Sequence, residues 1–188
     1  MTEATDIRRN PGGLPGELIM WVLIVSELAV FGAALLIFLV LRLGDPQGFA
    51  DSQAQLHRLS AGINTMVLVS SGFAAALAAR AAETGTAGAR RAVRRLLAVA
   101  ILLGGVFLLL KGVEYADAAR RGLGLEAHVF FTFYWLLTLF HAAHVLAGMV
   151  ILSIVSIRAN ADAVEASAQF WHMVDLVWVI LFPVIYLL

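Results

Sequence analysis

Phe170-Trp171-His172-Met173-Val174-Asp175-Leu176-Val177-Trp178-Val179-Ile180-Leu181-Phe182-Pro183-Val184-Ile185-Tyr186-Leu187-Leu188 is apolar enough to sit in lipid, yet it carries a histidine and an aspartate three residues apart. Positions i and i+3 share a helix face. An aspartate at mid-membrane costs on the order of 2.5–3.5 kcal/mol on insertion scales, so the pair must face protein or water and needs partners. The rest of the chain supplies the setting. Of its 188 residues 61% are hydrophobic and 14% charged, and the mean hydropathy is +0.89. A soluble domain is nearer a quarter charged and half apolar. Composition therefore implies an integral membrane protein.

Lysine plus arginine equals aspartate plus glutamate, 13 each, so nothing points to nucleic acid. There is no cysteine, which removes disulfides, thiolate metal sites and cysteine nucleophiles. The first apolar run is too long for a signal-peptide core and lacks a small-residue cleavage site, so it is expected to remain as an anchor.

Working outward from the last stretch, five apolar runs emerge, and the fold class is all-α: a polytopic bundle of five transmembrane helices over residues 16–188, preceded by a cytoplasmic tail over 1–15. The expected spans are Gly16–Leu41, Gly62–Ala82, Leu96–Ala119, His128–Ile157 and Ser167–Leu188. A run of about 20 residues crosses the roughly 30 Å hydrocarbon core at 1.5 Å per residue. Arg42–Ala61 reads as a loop with a Gly44-Asp45-Pro46 turn, Glu83–Arg95 as a basic loop, and Arg158–Ala166 as a polar link. Arg8, Arg9, Arg80, Arg90, Arg91, Arg94, Arg95 and Arg158 fall on one side. Arg42, Arg58, Lys111, Arg120 and Arg121 fall on the other. Basic residues mark the cytoplasmic face, so the N-terminus is expected inside and the C-terminus outside.

The polar residues within the spans are the candidate sites. Glu27 lies near the middle of the first span, Lys111 and Glu114 toward the outer end of the third, His141 and His144 in the fourth, and His172 and Asp175 in the fifth. Glu27 reads either as a neutral carboxyl bonded to another helix or as a lipid- or proton-linked group. Lys111 and Glu114 read as a structural pair at i and i+3, with Asn64 at the same level able to join them. His141-x-x-His144 and His172-x-x-Asp175 read as interhelical hydrogen bonds, worth about 0.6 kcal/mol each in membranes, or as contacts to a lipid headgroup or another subunit. Trp and Phe side chains are expected mostly at the lipid surface. Gly104, Gly105, Ala143, Ala147 and Gly148 are expected to let helices approach closely. Zinc needs three or four ligands, which His141, His144 and His172 supply only if the last two spans pack together. One haem between His141 or His144 and His172 would make the chain a small b-type cytochrome. No catalytic centre is evident on this chain.

The ordered set Ser26-Glu27, Ile63-Asn64-Thr65, Val69-Ser70-Ser71-Gly72, Lys111-Gly112-Val113-Glu114-Tyr115, Phe140-His141-Ala142-Ala143-His144-Val145-Leu146-Ala147-Gly148, Glu165-Ala166-Ser167-Ala168 and Trp171-His172-Met173-Val174-Asp175-Leu176-Val177-Trp178 resembles subunit III of the haem–copper oxidase superfamily, in its five-span form. Phe131-Thr132-Phe133-Tyr134 and the Trp-His-Met-Val-Asp ending look closer to the accessory branch associated with nitric oxide reductase, NorE. The resemblance implies a subunit of a bacterial inner-membrane respiratory complex without redox centres of its own. It implies a haem-bearing large subunit as partner and bound phospholipid. It also implies support of proton uptake in that partner, for an oxidase or a nitric oxide reductase, either as a stable subunit or as a transient maturation protein. By motif, Glu27 matches the family's carbodiimide-reactive buried carboxylate. His144, Glu165 and His172 fall in motifs near lipid or helix contacts.

Overall fold

The computed structural model describes residues 18–86, 88–158 and 160–188. The expected tail over 1–15 lies outside them. Six α-helices follow one another, α1 Leu18–Gly44, α2 Pro46–Gln53, α3 Arg58–Glu83, α4 Ala89–Arg120, α5 Val129–Arg158 and α6 Ala161–Phe182, and α6 runs on into a π turn over Pro183–Leu187. Five of the helices are long and apolar enough to cross a membrane. The near face is the one where α1 starts, and the far face is where it ends.

Several boundaries differ from the sequence expectation. The Arg42–Ala61 segment is not a loop. Asp45 caps α2 by accepting the Gly48 N–H at 3.0 Å, with Pro46 at the first helical position, where its missing N–H costs nothing. α3 starts at Arg58. The Glu83–Arg95 stretch is largely the start of α4, since Ala, Arg and Leu are strong helix formers. α4 is about 48 Å long at 1.5 Å per residue, so its first turns, carrying Arg90, Arg91, Arg94 and Arg95, project beyond a 30 Å core. There Arg94 bonds the Ser156 and Ile157 carbonyls at 3.1 and 2.9 Å, satisfying the free end of α5. The polar link is mostly helix as well, because α6 begins at Ala161. At the far face α4 ends with Gly122 at φ 73. Bonds run from Gly122 N to Ala119 O and from Leu123 N to Ala118 O, the left-handed cap that favours glycine.

Pro183 cannot donate to the helix ladder. The chain responds with the π turn, closed by Leu188 N donating to Pro183 O at 2.9 Å. Gln53 of α2 donates to the Ile185 carbonyl at 2.9 Å, and Arg42 contacts the Leu188 carbonyl. These bonds tie the end of the chain to α1 and α2.

α6 is the central element. It packs against α3, α5 and α1, while α4 packs against α3 and α5. Trp171 and Trp178, two turns apart on one face of α6, are fully buried. Trp171 Nε1 donates to Ser71 Oγ at 3.1 Å, whose hydroxyl donates to Ala100 O at 2.7 Å. The Trp171 ring lies over Gly104 and Gly148. One layer further, Trp178 Nε1 donates to Thr65 Oγ1 at 2.9 Å. The Trp178 ring stacks on His141 at 5.0 Å and meets Phe107 edge-on at 4.9 Å. Trp171, Trp178 and most phenylalanines thus form the core rather than the lipid surface, because a large ring can fill the interhelical space that glycine and serine open. Of the small residues, Gly104 and Gly148 are the close-approach points. Ala143 and Ala147 are exposed and face outward.

Candidate functional site

Three polar groupings lie at membrane depth, and each is positioned by a different helix pair. The most enclosed is centred on Lys111 and Glu114 of α4, one layer beyond Trp178 toward the far face. Lys111 Nζ is 3.1 Å from Glu114 Oε1, and Lys111 is 1% exposed. The same carboxylate oxygen accepts from Tyr134 of α5 at 2.8 Å and Tyr186 of the π turn at 2.6 Å, and Lys111 also donates to the Tyr186 hydroxyl at 2.8 Å. The rings of Tyr115, Tyr134, Trp178 and Tyr186 surround the ammonium at 4.6–5.5 Å, close enough for cation–π attraction. The expected pair is made, and it is interior to the bundle. Asn64 does not join it. Asn64 Nδ2 donates to the Phe107 carbonyl at 3.2 Å, because the α3–α4 register places it one turn short of Lys111. The two tyrosines are the residues that sequence reasoning missed. The available signal was that a buried tyrosine hydroxyl finds a partner.

The second grouping joins α1 to α5. His144 Nε2 is 3.2 Å from Glu27 Oε2, and the other ring nitrogen, Nδ1, lies 2.8 Å from the carbonyl of Phe140. That carbonyl can only accept, so Nδ1 carries a hydrogen. The pair is at ion-pair distance but off the line of a hydrogen bond, since Glu27 Oε2 has no partner of that geometry. Phe31 packs on His144 at 5.7 Å and on Phe140 at 5.1 Å and fixes this part of α1 against α5. Glu27 thus has an imidazole of another helix beside it but makes no hydrogen bond to it among the described residues.

His141 does not form the expected interhelical hydrogen bond. It is fully buried between Trp178 and Phe107, and neither ring nitrogen has a hydrogen-bond partner among the described residues. The third grouping is on α6. His172 Nδ1 is 3.8 Å from Asp175 Oδ2, and Asp175 packs directly on Gly72 of α3, where any β-carbon would collide with its carboxylate. Glu165 accepts from Gln169 on its own helix at 3.3 Å. His141, His144 and His172 thus face the Trp178 layer, α1 and the outer surface of α6 respectively. Among the described residues no group of three potential ligands could hold a metal ion.

At the far face, Asp45 meets His128 Nε2 at 3.1 Å, and His128 Nδ1 accepts the Phe130 N–H at 3.0 Å. The Gly48 N–H first, and then His128, hold the Asp45 carboxyl below the ordinary 3.8. His57 and Arg121 converge on Asp117 at 3.2 and 2.9 Å.

Glu27, Asn64, Lys111, Glu114, His141, His144, His172 and Asp175 belong to the ordered motifs, and the family model for cytochrome c oxidase subunit III matches residues 17–188. The chain belongs to the cytochrome c oxidase subunit III family. It is 36% identical over 130 residues to cytochrome c oxidase subunit 3 of Corynebacterium diphtheriae, covering 65% of this chain and 62% of that protein, which is less than two thirds of the relative's length. It is 28% identical over 194 residues to the probable cytochrome c oxidase subunit 3 of Nocardia farcinica, covering 99% of this chain and 93% of the relative. The Synechocystis cytochrome c oxidase subunit 3 matches at 28% over 178 residues, 88% of this chain and 72% of that protein. As a subunit III family member with five apolar spans, the chain is a multi-pass membrane protein. In this family member Trp171 and Trp178 of the Trp-His-Met-Val-Asp-Leu-Val-Trp motif key α6 into α3, α4 and α5, while His172 and Asp175 of the same motif look outward or toward Gly72.

Proposed function

We propose that this chain is the subunit III of a bacterial haem–copper cytochrome c oxidase, a non-catalytic component that binds phospholipid and supports the stability and proton uptake of a haem-bearing large subunit. The family match over residues 17–188 carries this reading. The geometry supports it, since the polar groups within the spans are used in joining helices, as in the Lys111–Glu114–Tyr134–Tyr186 cluster. The Glu27–His144 pair, on the α1–α5 seam, is the group that would link the chain to proton movement. The oxidase reading is preferred to a nitric oxide reductase accessory role because the relatives are named as oxidase subunits. The near face, with Arg80, Arg90, Arg91, Arg94 and Arg95, is the cytoplasmic one by the positive-inside rule, which puts the far face and Leu188 outside.

The test is a mild-detergent pull-down from native membranes, with identification of the co-purifying chains and a visible spectrum. A stoichiometric haem-bearing chain with oxygen-reducing activity is expected. A lone colourless chain would overturn the stable-subunit reading, and a nitric oxide-reducing partner would move the protein to the other branch.

A further inference from the structure

One layer of the bundle interior carries buried polar atoms that pair with nothing described. Residues of α3, α4, α5 and α6 meet there. Trp178 of α6 donates to Thr65 of α3 at 2.9 Å and stacks on His141 of α5 at 5.0 Å. Phe107 of α4 meets the His141 ring edge-on at 5.7 Å, and its carbonyl accepts from Asn64 Nδ2 at 3.2 Å. His141 is 0% exposed and Asn64 1%. Both ring nitrogens of His141, and Asn64 Oδ1, have no hydrogen-bond partner among the described residues.

These atoms lie away from bulk water, and lipid tails supply neither donors nor acceptors. An imidazole has at least one N–H to give, while an amide oxygen only accepts. Leaving both unpaired costs the full desolvation of each group, which folded interiors rarely carry. Water matches the set. It accepts from the imidazole N–H and donates to the amide oxygen, and about two to four such partners are what holds a buried water. The layer also stands between two polar groupings. His144, beside Glu27, is one turn from His141 along α5, and Lys111, bound to Glu114, is one turn from Phe107 along α4.

We propose that the Trp178 layer is an internal hydration site, in which water bonds the imidazole of His141 and bridges it to the amide oxygen of Asn64. His141 is the anchor of the site, Asn64 its second wall, and the rings of Phe107 and Trp178 close it above and below. The water extends the polar interior of the bundle between the Glu27–His144 pair and the Lys111–Glu114 cluster. The inference concerns the chain's own interior and stands whichever partner the chain has.

The test is X-ray radiolysis of the full chain in lipid nanodiscs equilibrated with heavy-oxygen water. Hydroxyl radicals formed from bound water label the side chains beside it, and peptide mass spectrometry locates the label. Phe107 and Phe38 are both 0% exposed and share one intrinsic reactivity, and Phe38 is packed by Phe49, Phe130 and Phe133. Heavy-oxygen hydroxylation of Phe107 severalfold faster than that of Phe38 is expected in the unaltered chain. His141→Phe keeps an aromatic ring against Trp178 and removes both nitrogens, and Asn64→Leu removes the acceptor. Each variant, with the helicity of the parent, should bring Phe107 down to the rate of Phe38. Equal rates at Phe107 and Phe38 in the unaltered chain overturn the proposal and leave the His141 N–H on the aromatic faces around it. An excess at Phe107 that survives both substitutions also overturns it, because the water would then be held elsewhere.

Discussion

Trp171 occupies the space in which a β-carbon at residue 148 would stand, 2.6 Å from its ring carbon Cε3. The ring is held from the other side by its bond to Ser71 and by Gly104, where a β-carbon would come within 2.9 Å. It therefore cannot swing away from either glycine. Gly148→Ala should destabilise the folded chain by about 1–3 kcal/mol, the usual cost of overpacking. Gly32→Ala, with nothing within 4 Å of the new methyl, should be neutral or stabilising by up to about 1 kcal/mol through helix propensity. Thermal unfolding in detergent compares the two. Equal midpoints would mean that Trp171 does not seat as described.

Lys111 and Glu114 are buried together, so removing one leaves the other charged and uncompensated. Lys111→Met should cost about 3–5 kcal/mol, the scale of breaking a buried ion pair. The double variant Lys111→Met with Glu114→Gln should recover most of that loss, because the neutral amide still accepts from Tyr134 and Tyr186. The comparison is a double-mutant cycle read by unfolding. Strictly additive effects would show that the pair is not coupled.

These contacts mark how far the sequence alone could be read. The five spans were legible because apolar runs of that length have one simple explanation. The Lys111–Glu114 pair was legible too, since it needs only helical spacing, whereas His172 and Asp175 were expected to bond other helices and instead lie 3.8 Å apart on α6. Glu27 with His144, and Tyr134 with Tyr186 on one carboxylate, were not, because helix rotation and register are set by packing among neighbours. Trp171 and Trp178 were misplaced at the lipid surface for a related reason. Hydropathy scores a ring as apolar but does not distinguish a bundle interior from lipid. α2 escaped notice because its eight residues, Pro46–Gln53, are polar and short. Its stability comes from the Asp45 cap and from buried Phe49, which meets Phe38 and Phe130 at 5.2 and 5.9 Å.

The Asp45 cap makes α2 sensitive to acid. Its carboxyl is held below 3.8 by the Gly48 N–H and by His128. A group with a depressed folded value contributes stability that is present above the unfolded value and is lost as pH falls through the folded one. Amide hydrogen exchange across Pro46–Gln53, corrected for intrinsic rates, should therefore be slow at pH 6 and accelerate below about 3.8. Asp45→Asn keeps an acceptor for Gly48 but not the charge, so it should flatten this dependence. An unchanged pH profile in Asp45→Asn would show that another group controls α2.

The contact between Glu27 and His144 covers the carboxylate oxygen Oε2 with an imidazole nitrogen at 3.2 Å. The side chain nevertheless remains 24% exposed, more than the 11% of Asp175. A hydrophobic carbodiimide should thus modify Glu27 before Asp175. His144→Leu removes the imidazole that shields Oε2 and preserves an apolar contact for Phe31, so modification of Glu27 should rise severalfold while the helical bundle stays intact. Glu27→Gln should abolish labelling at this position and leave the slower reaction at Asp175 unchanged. Labelling is located by mass spectrometry of the α1 and α6 peptides. If His144→Leu labels no faster than the unaltered chain, the imidazole does not guard the carboxyl, and the α1–α5 seam is joined by Phe31 and its aromatic neighbours alone.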